Sequence, residues 1–366
     1  KGRERFTLNN KAYKILVINP GSTSTKIAVY ENEHPIAEEF IHHTPNEFKD
    51  CADMLAQFDI RLDYVMKMLQ TNNIKPESLD AVVGRGGVIK PIESGTYHIN
   101  TKMKQDLIDN AATIHASALG GLMADKLGEK YGIAAFVVDP VVVDEMEQLA
   151  KLSGIPGIER RSIFHALNAK AVVRKCAREL GIKYEDGRFV VAHMGGGITV
   201  GAHRYGRVID VNDGLSGEGP FSPERCGTVP LAPVIEMCYS GKFTKEEMLA
   251  YLNKNGGMLA YLGTNDMRLV EKYIRHGDDY AALVMDSMAY QVSKEIGAMV
   301  AVLEGRLNAI ILTGGLAYSH RFTASIKQRV DQIAPVITYP GENELSALNE
   351  GALRVLRGQE SVKEYS

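Results

Sequence analysis

Residues 13–30 read YKILVINPGSTSTKIAVY: an apolar run, a turn of small residues, and a second run. Ile15 to Ile18 is continuously apolar, as expected of a strand buried on both faces. Pro20 and Gly21 break it. Ser22, Thr23, Ser24 and Thr25 place hydroxyls at the tip, Lys26 adds a cation, and Ile27 to Tyr30 resumes strand character. A turn with many donors and little bulk suits a phosphate. It lacks the second glycine and the following helix of a P-loop, so the chain turns back as a hairpin. Taken alone, the stretch is equally a hydroxyl-rich surface hairpin with no ligand.

The pattern recurs. FVVAHMGGGITVGAH (189–203) is again strand, glycine turn, strand. Further on, SLDAVVGRGG (78–87) and RLNAIILTGG (306–315) match position by position. Two matches in the same order predict two copies of one α/β unit. The copies are expected to face each other across a central cleft, phosphates on the glycine turns and the sugar end on Gly314-Gly315. Closure would then expel water. SGIPG (153–157) marks the crossing, giving domains at 12–152 and 153–345, with a C-terminal helix within 346–366 packing back on the first.

Periodicity predicts helices over 47–70, 102–110, 117–131, 141–150 and 163–180, and a helical region over 233–305 broken at Asn255-Gly256-Gly257. Short strands are expected at 79–83, 133–138 and 208–211. The glycine- and proline-rich stretch 213–230 reads as a long loop, the kind that carries function or moves.

The 366 residues suit two domains. With 42 basic against 45 acidic residues and no basic run, there is no footprint for nucleic acid. Four cysteines without a C-x-x-C pair predict reduced thiols in a cytoplasmic protein. No apolar run reaches the roughly 20 residues of a membrane span. KGRERFTLNN (1–10) reads as a processed or added lead-in outside the fold.

Seven strings in order, INPGSTSTK, VGRGG, RRSIFHALN, HMGGGITVG, PERCGTVP, LTGGLA and GENEL, lie between residues 18 and 345, and the resemblance they carry covers essentially residues 14–356. Together they resemble the butyrate kinase branch of the acetate kinase family, in the superfamily of sugar kinases, Hsp70 and actin. The resemblance implies two duplicated ribonuclease H-like (actin-like ATPase) domains. It also implies reversible transfer of the ATP γ-phosphoryl group to butyrate, with ATP/ADP and Mg2+ as cofactors and a homo-oligomer, dimer or larger. The methionine-rich region 285–303 is the candidate interface, or else core. A carboxylate is already ionised at neutral pH, so the obstacle is charge. Positioning and cations are then what catalysis needs.

The resemblance also implies roles. Arg85 would take the acyl carboxylate, its fork matching a carboxyl or phosphoryl group. Where acetate kinases carry Arg-Val-Val-His-Gly-Gly, this chain has Gly84-Arg85-Gly86-Gly87, which shifts the arginine relative to the glycine pair. Arg225 would stabilise the moving phosphoryl group and His165 would hydrogen-bond it, with His115 a further active-site histidine. Asp139 and Glu344 are the metal candidates, Asp139 also a catalytic one. Asn19, Ser22, Thr23, Ser24, Lys26, Gly195, Gly196, Gly197, Gly314 and Gly315 are the nucleotide candidates. Each has a plainer reading: turn arginines, a helix histidine, a turn-starting aspartate, a helix N-terminal acid, glycine hinges.

Other functions remain at this level. Branched-chain, acetate or propionate acceptors differ from butyrate by pocket volume alone. An actin- or Hsp70-like ATPase switch would keep the turns without needing the arginines. A sugar kinase would use Asp139 as a base.

Overall fold

The sheet of the first unit grows from the opening hairpin. A computed structural model describes residues 11–111 and 116–366. β1 (Lys14–Pro20) and β2 (Ser24–Glu31) pair antiparallel, Asn19 opposite Lys26 and Pro20 opposite Thr25. β3 (His34–His42) extends the hairpin. On the other side of β1, β4 (Ala81–Gly84) runs parallel to it. β5 (Thr96–His98) and β6 (Ala134–Val138) pair antiparallel, and β6 lies parallel to β4. In the second unit, β7 (Arg188–Met194), β8 (Ile198–Arg204) and β9 (Arg207–Val211) form the meander. β10 (Ala309–Gly314) and β11 (Val336–Pro340) add parallel strands beyond β7. β12 (Lys363–Glu364) returns to the first sheet beside β5.

The second sheet has the order β11-β10-β7-β8-β9, and the first contains β6-β4-β1-β2-β3. The two orders are the same, with the same parallel and antiparallel senses, so the duplicated α/β fold expected from the glycine repeats is present.

The chain divides into residues 1–142 with 343–366, and residues 143–342. The crossing therefore falls before Val143 rather than at Ser153. Val143 and Met146 are buried in the second unit's core with Phe164, and the Glu147 N–H bonds the Ile209 carbonyl. Glu344 and the helix it begins, Glu344–Leu356, belong to the first unit.

Alternation along β7 sorts its side chains to two faces. Val190 and Ala192 pack toward the helix Asp279–Val302, and Phe189 and Val191 toward the helix Ala166–Glu179. Met285, Met288 and Met299 lie buried in the first of these clusters. The methionine-rich stripe is core.

Two helical expectations fail for the same reason. The predicted helix over 47–70 is two short 3-10 turns, Pro45–Phe48 and Leu55–Gln57, followed by the helix Phe58–Thr71. Asp53 accepts the Ala56 N–H. Over 141–150 helix forms only at Gln148–Lys151, because Asp144 accepts the Met146 N–H and the Lys151 ammonium. Short carboxylates that bond nearby backbone compete with the helical ladder. No described helix is long and apolar enough to cross a membrane.

Candidate active site

In the first unit, three of the predicted residues meet at the ends of parallel strands. Asn19 is the penultimate residue of β1, Arg85 follows β4, and Glu344 begins its helix. Asn19 Nδ2 donates to Glu344 Oε2 at 2.6 Å, and Arg85 Nη1 donates to Asn19 Oδ1 at 3.4 Å. Arg85 Nη1 also forms an ion pair with Glu344 Oε1. Asn19 and Glu344 are buried, and Arg85 is partly exposed. The glycines explain how the arginine reaches this place. A Cβ on Gly84 would overlap the Gly120 backbone, so Gly84 lets the strand end press on the helix Ala118–Tyr131. The Arg85 N–H then bonds the Ile18 carbonyl, and its carbonyl takes the Gly121 N–H.

Asp139 is placed otherwise. It is buried at φ +39°, and its Oδ1 accepts from Ser94 Oγ at 2.6 Å and from the Gly95 N–H at 2.8 Å. Those bonds organise the turn before β5. His115 lies outside the described residues.

The hydroxyl turn is held from below by a residue that escaped the sequence reading. Arg61, fully buried on the helix Phe58–Thr71, donates to the Ser22 and Ser24 carbonyls and to Thr25 Oγ1. Burial lowers its pKa to about 10, so it stays charged at neutral pH. Thr25 is thereby interior and also bonded to His43, while Ser22 and Thr23 are exposed. The Lys26 ammonium lies over the Phe40 ring. The signal for Arg61 was its helical spacing from Val65 and Met68, which puts a cation on the buried face.

In the second unit, the turn between β7 and β8 is Gly195-Gly196-Gly197, closed by a bond from the Gly195 N–H to the Gly197 carbonyl. The long loop folds onto it. Ser222 Oγ donates to the Gly196 carbonyl at 2.6 Å. The Arg225 guanidinium bonds the Gly214 carbonyl and occupies the space that a Cβ on Gly197 would take. Its Nε–H is buried without a protein partner. Burial lowers the Arg225 pKa, opposed by Glu224 and Asp213.

His165 precedes the helix Ala166–Glu179, its Nδ1 3.0 Å from Thr199 Oγ1 on β8. Its ring stacks on that of His193, with centroids 3.7 Å apart and planes at 7°. Gly314 adopts φ +89°, where a Cβ would strike the Met194 backbone, and it exchanges backbone bonds with Gly341. A Cβ on Gly315 would meet nothing within 4 Å.

The two predicted metal residues are held by protein partners. Both Glu344 oxygens are engaged by Arg85 and Asn19, and Asp139 Oδ1 by Ser94 and Gly95. Among the described residues no group of three His, Cys, Asp or Glu side chains is gathered to hold a metal.

Two copies of one sheet, each ending its parallel strands in glycine turns and ionisable side chains, define the two-domain fold shared by acetate kinases, sugar kinases, Hsp70 and actin. The chain is similar to the acetate kinase of Porphyromonas gingivalis, at 19% identity over 94% of this chain and 100% of that one, with a TM-score of 0.76. A propionate kinase from Francisella tularensis subsp. tularensis is 19% identical over 93% and 98%, with a TM-score of 0.70. A ROK family protein from Streptococcus pneumoniae is 14% identical over 95% and 100%, with a TM-score of 0.52. These likenesses concern the fold. The acetokinase family pattern matches residues 148–330, half of the chain, and the chain belongs to that family. Membership makes it a phosphotransferase with a carboxyl acceptor.

Proposed function

We propose that the chain is a short-chain fatty acid kinase that transfers the γ-phosphoryl group of ATP, supplied as its magnesium complex, to butyrate. The observation that carries this reading is the packing of Arg225 against Gly197. A guanidinium at a turn without side chains is suited to a polyanion. Its buried Nε–H has no protein partner, and leaving such a donor unpaired costs about 1–3 kcal/mol. A phosphoryl oxygen would relieve that cost.

The roles follow from the chemistry. Arg85 binds the acceptor carboxylate, exchanging its bond to Glu344 for one to substrate. The acid needs no base, since it is already ionised. Asn19, Ser22, Thr23, Ser24, Lys26, Gly195, Gly196 and Gly197 serve the phosphates. Gly314 and Gly315 border the nucleoside, and His165 hydrogen-bonds the phosphoryl group. Glu344 orients Arg85 and Asn19.

The test is formation of acyl hydroxamate from ATP, magnesium and hydroxylamine with acetate, propionate, butyrate, isobutyrate and valerate in turn. Butyrate should give the highest kcat/KM. A maximum at isobutyrate, acetate or propionate would replace the acceptor. ATP hydrolysis with no acyl phosphate from any acid would defeat the kinase reading.

A further inference from the structure

The proposed roles leave one cluster of the second unit unused. His193 is the penultimate residue of β7, and its ring is buried beneath His165. Asn168 Nδ2, in the first turn of the following helix, lies 2.9 Å from His193 Nδ1. The same amide donates to Thr313 Oγ1 at 3.1 Å, and Thr313 donates to the Gly341 carbonyl. On the opposite edge of the ring, His193 Nε2 lies 3.0 Å from Glu342 Oε1.

An ionised carboxylate only accepts, so in the neutral ring the tautomer that suits Glu342 carries its hydrogen on Nε2 and presents the Nδ1 lone pair to the Asn168 amide. The other tautomer would point the Nε2 lone pair at a carboxylate and require the Asn168 amide to turn over. A ring fixed at both nitrogens by a carboxylate and an amide keeps one tautomer and one plane. His165 is stacked almost parallel to that plane, so the orientation of His165 depends on it.

We infer that Glu342, acting through His193, is a positioning residue for His165. The inference rests on the kinase reading, which gives His165 its contact with the phosphoryl group. Glu342 was not singled out in the sequence because the acid two residues later, Glu344, matched the family pattern. The two acids do different work: Glu344 bonds Asn19 and Arg85, and Glu342 bonds His193.

The experiment compares the full chain with Glu342→Ala and Glu342→Gln. The Glu342 side chain is about one-third exposed, so both variants should fold. Histidine labelled with nitrogen-15 reports the tautomer of His193: the Nε2–H form in the unmodified chain and in Glu342→Gln, a mixture in Glu342→Ala. In the hydroxamate assay, Glu342→Ala should lower kcat by roughly 10–100-fold while KM for ATP and for the acid changes little, and Glu342→Gln should recover most of the rate. An unaltered tautomer, or an unaltered kcat, in Glu342→Ala overturns the inference. If the unmodified chain makes no acyl phosphate from any acid, the kinase reading itself fails and the inference falls with it. A chain that makes acyl phosphate yet ignores Glu342→Ala overturns the inference alone.

Discussion

Gly197→Ala should disable turnover while leaving the protein folded. The Gly197 φ lies outside the left-handed region, so alanine imposes no backbone strain. The added Cβ would overlap Arg225 Nη1, lie 2.9 Å from Arg225 Cζ, and sit 3.2 Å from the Gly214 carbonyl oxygen. Carbon contacts are comfortable near 3.5–4 Å, so the guanidinium must withdraw by about 1 Å. The withdrawal breaks its bond to Gly214, at a cost of roughly 1–3 kcal/mol in stability. A displacement of that size from the reacting group costs about 100-fold in kcat. Acyl hydroxamate kinetics and urea unfolding measure the two effects separately. The decisive comparison is a double-mutant cycle. Adding Gly197→Ala to Arg225→Ala should do almost nothing further, because the Cβ then has nothing to displace. If the two losses of activity multiply instead, Gly197 acts by another route and the reasoning is refuted.

Arg85→Ala should reduce kcat/KM for the acid by about 1,000-fold. It also leaves the buried Glu344 carboxylate without its cation, and a second change, Glu344→Gln, should restore urea stability without restoring turnover. Arg61→Leu should cost about 2–4 kcal/mol in urea unfolding, because the guanidinium's bonds to the Ser22 and Ser24 carbonyls and to Thr25 Oγ1 are lost together. His203 is buried with neither ring nitrogen partnered, and burial, then Lys170 and Arg174, push its pKa well below the usual value. Its folded pKa lies under its unfolded value of about 6.5, so the unfolded chain takes up a proton first and folding stability falls as pH drops below that value. His203→Leu should flatten this acid limb in unfolding midpoints measured from pH 7.5 to 5; an unchanged slope would exclude His203 as its source.

The parts of the fold visible in the sequence were those with a strong local signal. Continuous apolar runs ending in glycine gave β1, β4, β7 and β10, and the order of those runs gave the duplication. β3 was missed: only Ala37 and Ile41 are buried, and the apolar residues of HPIAEEFIH fall in the pairs Ile36-Ala37 and Phe40-Ile41 rather than in strand alternation. β5 and β12 are short and depend on neighbours far away in sequence. The site followed the same rule. Arg225 and the glycine turn were recognisable because loop composition and glycine runs are local. The partners that hold them were not. Asn168, Thr313 and Glu342 come from three distant segments, and only the parallel pairing of β7 and β10 makes them neighbours of His193.

The duplication also explains why GENEL needs two acids. In each copy, the first strand of the sheet carries a polar side chain at its C-terminal end, Asn19 on β1 and His193 on β7. Strand ends of a parallel sheet are where an α/β fold presents groups to a ligand, and a buried polar group there needs a partner. The chain leaves the second unit after Glu342 and re-enters the first at Asn343. One short connection can therefore supply a carboxylate to each copy: Glu342 to the histidine before the crossing, Glu344 to the asparagine after it. The consequence differs on the two sides. On the proposed roles, the carboxylate facing Asn19 and Arg85 holds the guanidinium that takes the acceptor. A carboxylate facing His193 meets the edge of a ring held on its other side by Asn168. The copies thus differ at equivalent positions: the acid after the crossing meets an asparagine and an arginine, and the acid before it meets a histidine.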